Sequence, residues 1–231
     1  VKVPYVHVYI NYIVNERFLT TMPGKTPFGW EGPKQNQSGA GTVSMQSQRS
    51  DVFSYKLETS SVLTVPYLTK RYENSSDKIV SEFYMLVPKH VNGIEAKILS
   101  GDNEALSIGV KDKNFVLSNG TVLYEDFRSN LWYRFKVITN TEKNTADVFV
   151  NFRKYAENVP LLSSGKINGI EFTSGSIKGS SAYIDDVNVY LDLPLPTGYP
   201  TEPRTVLPDK NVKEVGMLMY SMWREGFHFG W

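Results

Sequence analysis

The chain has 231 residues, of which 41% are hydrophobic and 21% charged, with a formal net charge of +1 and no cysteine. Without cysteine there is no disulfide staple and no thiolate metal site. Lys and Arg are scattered, so the basic face that a nucleic-acid partner requires is missing. No run of about 18 apolar residues occurs, so no segment reads as a membrane-spanning helix. Aromatic residues make up 13% of the chain, including 14 Tyr and 4 Trp, a composition that suits strands. The length allows one large all-β domain with appendages. The chain begins at Val and shows no signal peptide, which reads as a processed or excised product.

Val3 to Val14 (VPYVHVYINYIV) is strongly β-prone, with both alternating sets partly apolar. His7 lies inside it, either as a ligand or as a strand histidine bonded to a neighbour. Asn15 to Thr42 is rich in Gly, Pro, Ser, Asn and Gln and reads mostly as loop. Trp30 within it is either a sugar-stacking platform or a plug closing one end of a core. Val43–Met45, Asp51–Leu57 and Ser60–Tyr72 read as strands, with Pro66 marking a bulge, break or edge. After an Asn74–Asp77 turn, Lys78–Val87 alternates as Ile79, Ser81, Phe83 and Met85 against Val80, Glu82, Tyr84 and Leu86. Ile94–Leu99, Ala105–Lys111, Phe115–Val116 and Thr121–Tyr124 follow, with the turn dipeptide Asn119-Gly120 before the last.

The stretch Asn130 to Pro160 holds the clearest pattern. Tyr133, Phe135 and Val137 alternate with Arg134 and Lys136; Ala146, Val148 and Val150 alternate with Asp147 and Asn151. Period-two alternation predicts a half-buried antiparallel hairpin around a polar turn at Thr139–Asn144. One face is apolar, and a lone hairpin is marginal in water, so a second layer must cover it. Ile167–Thr173 and Ala182–Tyr190 complete about a dozen short strands with no convincing helix. The expected fold is all-β: a two-sheet antiparallel jelly-roll sandwich over residues 1–193. Residues 194–214 contain five prolines, Pro194, Pro196, Pro200, Pro203 and Pro208, and read as a semi-rigid linker. Residues 215–231 form an apolar, aromatic tail outside the sandwich core.

Three segments carry a resemblance: NLWYRFKV…TADVFVN, AYIDDVNVY (Ala182–Tyr190) and ERF…PFGW (Glu16–Trp30). From about Phe18 to Leu193 the chain resembles concanavalin A-like, laminin-G-like jelly rolls of secreted bacterial carbohydrate-active proteins. It departs from their pattern at Phe152, where Gly is usual, so a turn of another type is expected after Asn151. The tail Val215–Trp231 resembles the first strand and loop of a family-99-like, endo-α-mannosidase-like glycoside hydrolase barrel. That resemblance implies an accessory domain beside a catalytic barrel.

Glycan cleavage generally needs two carboxylates facing across a site. Jelly-roll glucanases place them as Glu-x-Asp-x-x-Glu on one strand, and Glu82 has no acidic partner two or five residues on. Alginate-lyase-like jelly rolls need an Arg, a His and a Tyr; the three histidines here are His7, His90 and His228. Glu225 and His228 lie three apart in the tail without their barrel. No nucleophile elbow, phosphate loop or zinc spacing is present. The sequence therefore reads as non-catalytic.

Jelly rolls of this type often carry a structural Ca²⁺ near the junction of first and last strands, and Glu16, Asp185 and Asp186 are hard oxygen ligands of the needed kind. By alternation Asp185 and Asp186 point to opposite faces, so at most one binds and the other stays solvated. SGDNE, Ser100–Glu104, is a second acidic loop; turn-forming Asp and Asn without any ion is the alternative. For a glycan, Trp132 and Phe149 share the non-core face with Arg134, Lys136, Asp147 and Asn151, combining stacking and hydrogen-bonding groups. The alternative is that Trp132 seals the sheet edge above a solvated charged face. The expected role is a carbohydrate-binding or barrel-supporting accessory domain, secreted or at the cell surface, with a glycan or polysaccharide partner. A different class is a structural subunit joined to copies of itself through its apolar terminal strands, and a third is a hydrolase or lyase.

Overall fold

The computed structural model describes residues 12–32, 41–49, 51–60 and 65–192. These residues form fourteen strands and no helix: β1 (Tyr12–Glu16), β2 (Thr42–Ser44), β3 (Ser54–Glu58), β4 (Tyr67–Arg71), β5 (Lys78–Leu86), β6 (Glu95–Ser100), β7 (Asn103–Lys111), β8 (Asn114–Leu117), β9 (Val122–Tyr124), β10 (Trp132–Asn140), β11 (Thr145–Val150), β12 (Arg153–Pro160), β13 (Ile167–Thr173) and β14 (Ser181–Leu191). They build an eight-stranded sheet in the order β12-β11-β10-β5-β14-β3-β2, with β1 also on β14, and a six-stranded sheet in the order β4-β13-β6-β7-β8-β9. All pairs are antiparallel. The two sheets face each other across one hydrophobic core, a jelly-roll sandwich. Readings that fall on residues 1–11 and 193–231, including His7, the proline linker and the tail with Glu225 and His228, lie outside the described residues.

Alternation decides which side chains enter the core. From β10, Tyr133, Phe135 and Val137 point inward; from β11, Ala146, Val148 and Val150; from β5, Ile79, Phe83 and Met85. Phe83 and Phe135 stack with centroids 5.4 Å apart, and Phe172 of the opposite sheet meets Phe83 edge-on at 5.1 Å. Phe115 of β8 reaches Phe135 edge-on at 4.9 Å. These rings tie the layers together, each buried ring contributing roughly 2–3 kcal/mol of transfer free energy.

The last two strands go to the middle of their sheets. β13 lies between β4 and β6. β14 pairs along one edge with β5. Its other edge pairs first with β3, up to Ile184, and then with β1, from Val187. At the changeover Asp185 opposes Tyr84 and Asn188 opposes Glu82, so β14 carries one extra residue there. Asp186 has a φ of 48°. This is a β-bulge, and it breaks the alternation that set the two aspartates on opposite faces. Both are buried, and the expectation that one stays solvated is corrected.

Two further corrections concern the hairpin region. The sequence reading found two strands between Asn130 and Pro160, the second alternating through Asn151, yet a third, β12, follows after a two-residue turn and forms the sheet edge. In that turn Asn151 and Phe152 have φ of 46° and 71°, and Val150 pairs with Arg153. This is the type I′ geometry that Asn-Gly adopts, so the expectation of another turn type is also corrected. Asn151 secures the shape: its N–H donates to the Arg134 carbonyl at 2.9 Å, and its Oδ1 accepts from the Arg134 N–H at 3.0 Å.

Candidate functional site

The residues that alternation placed on the outer face of the larger sheet do lie there, but most are engaged by the chain itself. Arg134 makes a two-pronged bond to Glu82, Nε to Oε1 at 2.7 Å and Nη2 to Oε2 at 2.6 Å. Glu82 sits opposite Lys136 on the adjacent strand, which brings its carboxylate beside Arg134 on the same face. The Tyr190 hydroxyl also donates to Glu82 Oε2 at 3.3 Å. The Trp132 indole N–H donates to the Gln48 carbonyl at 3.1 Å, and Lys136 and Lys154 flank the Phe149 ring at 5.9 and 5.6 Å. Trp132 starts an interior strand of the sheet, not an edge. Trp30 is only 7% exposed. Its ring leans on Phe18 and its N–H donates to Glu16 Oε2 at 3.1 Å, so it closes an end of the core.

The three carboxylates expected to hold Ca²⁺ are bound by nitrogen donors. Glu16 Oε1 accepts the Phe18 N–H at 2.6 Å, while its other oxygen takes Trp30. Asp185 accepts the backbone N–H groups of Arg49 and Asp186 at 3.1 and 2.8 Å. Asp186 pairs with Arg49 at 2.8 Å and with Arg17 at 3.6 Å. Of the three, Asp186 meets guanidinium groups, and Arg49 and Arg17 give it the positive charge that a Ca²⁺ would otherwise bring. Among the described residues no three His, Asp or Glu side chains gather as a metal site would require. His90 receives no special setting either: its Nε2 lies 2.6 Å from the Phe127 carbonyl and its ring packs edge-on against Phe127.

Two recesses lie on the outer face of the smaller sheet. One, of about 460 Å³, is lined by Val65, Tyr67, Glu95, Lys97, Glu171 and Thr173, among others. A second, of about 390 Å³, shares Gly93 and Glu95 with the first and continues past Ser107, Gly109, Lys111 and Ser118. Together they form a groove running across the strands from β4 to β8. Register explains the grouping. Lys97 opposes Glu171, and Glu95 opposes both Thr173 on one side and Gly109 on the other. The Lys97 ammonium is 3.3 Å from Glu171 and 3.7 Å from Glu95, and the Thr69 hydroxyl donates to Glu171 at 2.9 Å. Gly109 keeps the floor low: a Cβ there would lie 3.4 Å from the Glu95 side chain. Gly175, at φ 73°, passes so close to Gly93 that an added Cβ would fall 2.3 Å from its carbonyl oxygen. Tyr67, 37% exposed, supplies an open aromatic ring at one end. The sequence reading missed this groove because its residues come from separate strands, and only the register brings them together.

No protein-family model and no curated protein matches the sequence. Solved structures do resemble it. A sialidase superposes at a TM-score of 0.66 with 12% identity, over 80% of this chain and 19% of that one. The cellulose-induced protein Cip1 superposes at 0.55 with 11% identity, over 76% of this chain and 96% of that one. A carbohydrate esterase from Shiga toxin-encoding bacteriophage phi24B superposes at 0.52 with 12% identity, over 71% and 91%. The chain spans about a fifth of the length of the sialidase it matches. At this identity the likenesses establish the fold, a jelly-roll β-sandwich.

Proposed function

We propose that the sandwich is a non-catalytic glycan-binding accessory module of a secreted carbohydrate-active protein, and that it binds through the groove on the six-stranded sheet. The observation that carries this reading is the groove's chemistry: an open tyrosine ring beside a Glu95–Lys97–Glu171 cluster over a floor opened by Gly109. A sugar ring offers an apolar C–H face and a rim of hydroxyls. The tyrosine suits the first, and the fixed carboxylates and ammonium suit the second. The structures that share the fold are named for carbohydrate chemistry, which supports the same class of ligand. In this reading a barrel beginning near Val215 would supply catalysis in the parent protein.

Affinity electrophoresis through gels containing soluble polysaccharides tests it. At least one polysaccharide should retard the protein. Tyr67→Ala and Lys97→Ala should each remove most of the retardation, while Trp132→Ala and Phe149→Ala should leave it intact. Equal retardation of Tyr67→Ala and the wild type would sink the groove as the site. One observation favours a second reading: Glu95 and Glu171 both reach the Lys97 ammonium, and glycoside hydrolysis works with a pair of carboxylates. Release of reducing ends that disappears in Glu95→Gln and Glu171→Gln would replace binding by hydrolysis.

A further inference from the structure

A third recess lies where the open edges of the two sheets meet. β9 ends the six-stranded sheet and β12 ends the eight-stranded one. Between them is a cleft of about 370 Å³ lined by Val122, Leu123, Tyr124, Glu125 and Tyr155. We propose that this cleft is a binding site for a single neutral pyranose ring, of the kind found at the end of a glycan chain. It is separate from the groove and stands whether or not the groove binds.

The walls are aromatic and already in place. Tyr124 and Tyr155 have centroids 5.7 Å apart with ring planes inclined at 56°, so they form a wedge rather than a closed stack. Tyr124 is fixed from behind by Tyr133, edge-on at 5.4 Å. The Tyr133 hydroxyl is itself held by the Arg128 N–H at 2.8 Å. The Arg153 guanidinium lies 5.5 Å from the Tyr155 centroid. Glu125 stands at the rim on a turn pinned by two bonds: the Asp126 N–H donates to Asn114 Oδ1 at 2.9 Å, and the Phe127 N–H donates to the Lys113 carbonyl at 3.0 Å. A preformed wall lowers the ordering cost of binding.

The volume and lining select the ligand. The cleft lies at the small end of the usual range for small-molecule sites, roughly 300–1,000 Å³. That is room for one sugar ring. Two tyrosine bodies and the exposed Val122 side chain offer an apolar surface for the C–H face of a sugar. The Glu125 carboxylate accepts from hydroxyls. Charge disfavours the neighbouring classes: a uronate would meet Glu125, and a cationic head group would share Tyr155 with the Arg153 guanidinium already beside that ring.

The test uses the full chain with ¹³C-labelled tyrosine, titrated with methyl glycosides of glucose, galactose, mannose and N-acetylglucosamine. At least one glycoside should give a saturable shift of the Tyr124 and Tyr155 ring signals. Tyr155→Ala should weaken that binding about tenfold or more. Glu125→Gln, a substitution on an exposed turn that leaves the core untouched, should weaken it several-fold. Tyr67→Ala should not change it. No saturable shift with any of the four glycosides, or unchanged affinity in both Tyr155→Ala and Glu125→Gln, would overturn the proposal.

Discussion

Glu82 and Arg134 face away from the hydrophobic core, yet they are only 3% and 2% exposed. An ion pair this deep is a weak source of net stability, because desolvating both charges offsets most of their attraction. Removing one side is another matter. Glu82→Ala takes both oxygens from the Arg134 fork and should cost about 3 kcal/mol in chemical denaturation. The double substitution Glu82→Met with Arg134→Leu should recover much of that loss. Equal midpoints for Glu82→Ala and the wild type would show that the guanidinium does not depend on this carboxylate. Phe152 raises the opposite question, a side chain held in a backbone region that costs most L-residues roughly 1–2 kcal/mol. Asn tolerates that region and Val does not. Both substitutions delete the ring that covers Arg134 at 4.2 Å, so their difference isolates the backbone. Phe152→Asn should be about 1 kcal/mol more stable than Phe152→Val in urea melts. Equal stability would mean that the turn relaxes out of its left-handed shape.

β12 shows at the element scale why part of the fold was legible and part was not. β10 and β11 alternate fully and partly buried positions, so their alternation is written in residue type, and their limits, like those of β13 and of β5, which is covered on both faces, were readable to within a residue or two. β12 is an edge strand with exposed side chains on both faces apart from Ala156 and Val159. RKYAENVP therefore carries no period-two signal, and pairing with β11 alone makes it a strand. Its bulge is fastened by Asp147, which takes the Lys154 ammonium at 2.8 Å and the Asn158 N–H at 2.9 Å. Burial raises the Asp147 carboxyl, but these donors outweigh it and leave the group below its ordinary value of 3.8. A depressed acid stabilises the folded state above its unfolded value and loses that contribution as pH falls through the folded one. Protection of the β12 amides against hydrogen exchange should therefore drop as pH is lowered below about 3.8, apart from the intrinsic rate change. Asp147→Asn should show the reduced protection already at neutral pH. Full protection in Asp147→Asn at pH 7 would remove Asp147 from this role. The groove was illegible for a related reason. Tyr67, Glu95, Lys97 and Glu171 belong to three strands, β4, β6 and β13, up to about a hundred positions apart in the chain, and no local pattern carries a register.

For the whole molecule, the junction of β14 with β3 and β1 takes the place in which a structural cation was expected. Arg49 and Arg17 supply the positive charge from inside the chain. Chelation with EDTA should therefore leave the thermal midpoint of the sandwich unchanged. A fall of several degrees, restored by Ca²⁺, would show that a metal competes with the arginines.

Because β13 and β14 slot between strands made much earlier, the six-stranded layer is not contiguous until synthesis has reached Thr173, nor the eight-stranded one until Leu191. Up to those points the nascent polypeptide carries β6 and β5 with one flank each unzipped, and the most apolar segments of the protein wait on the slowest, most distant pairings. A ribosome stalled before Ile167 should display a chain that proteases cut freely and holdase chaperones retain, whereas release past Leu191 should convert it in one cooperative step.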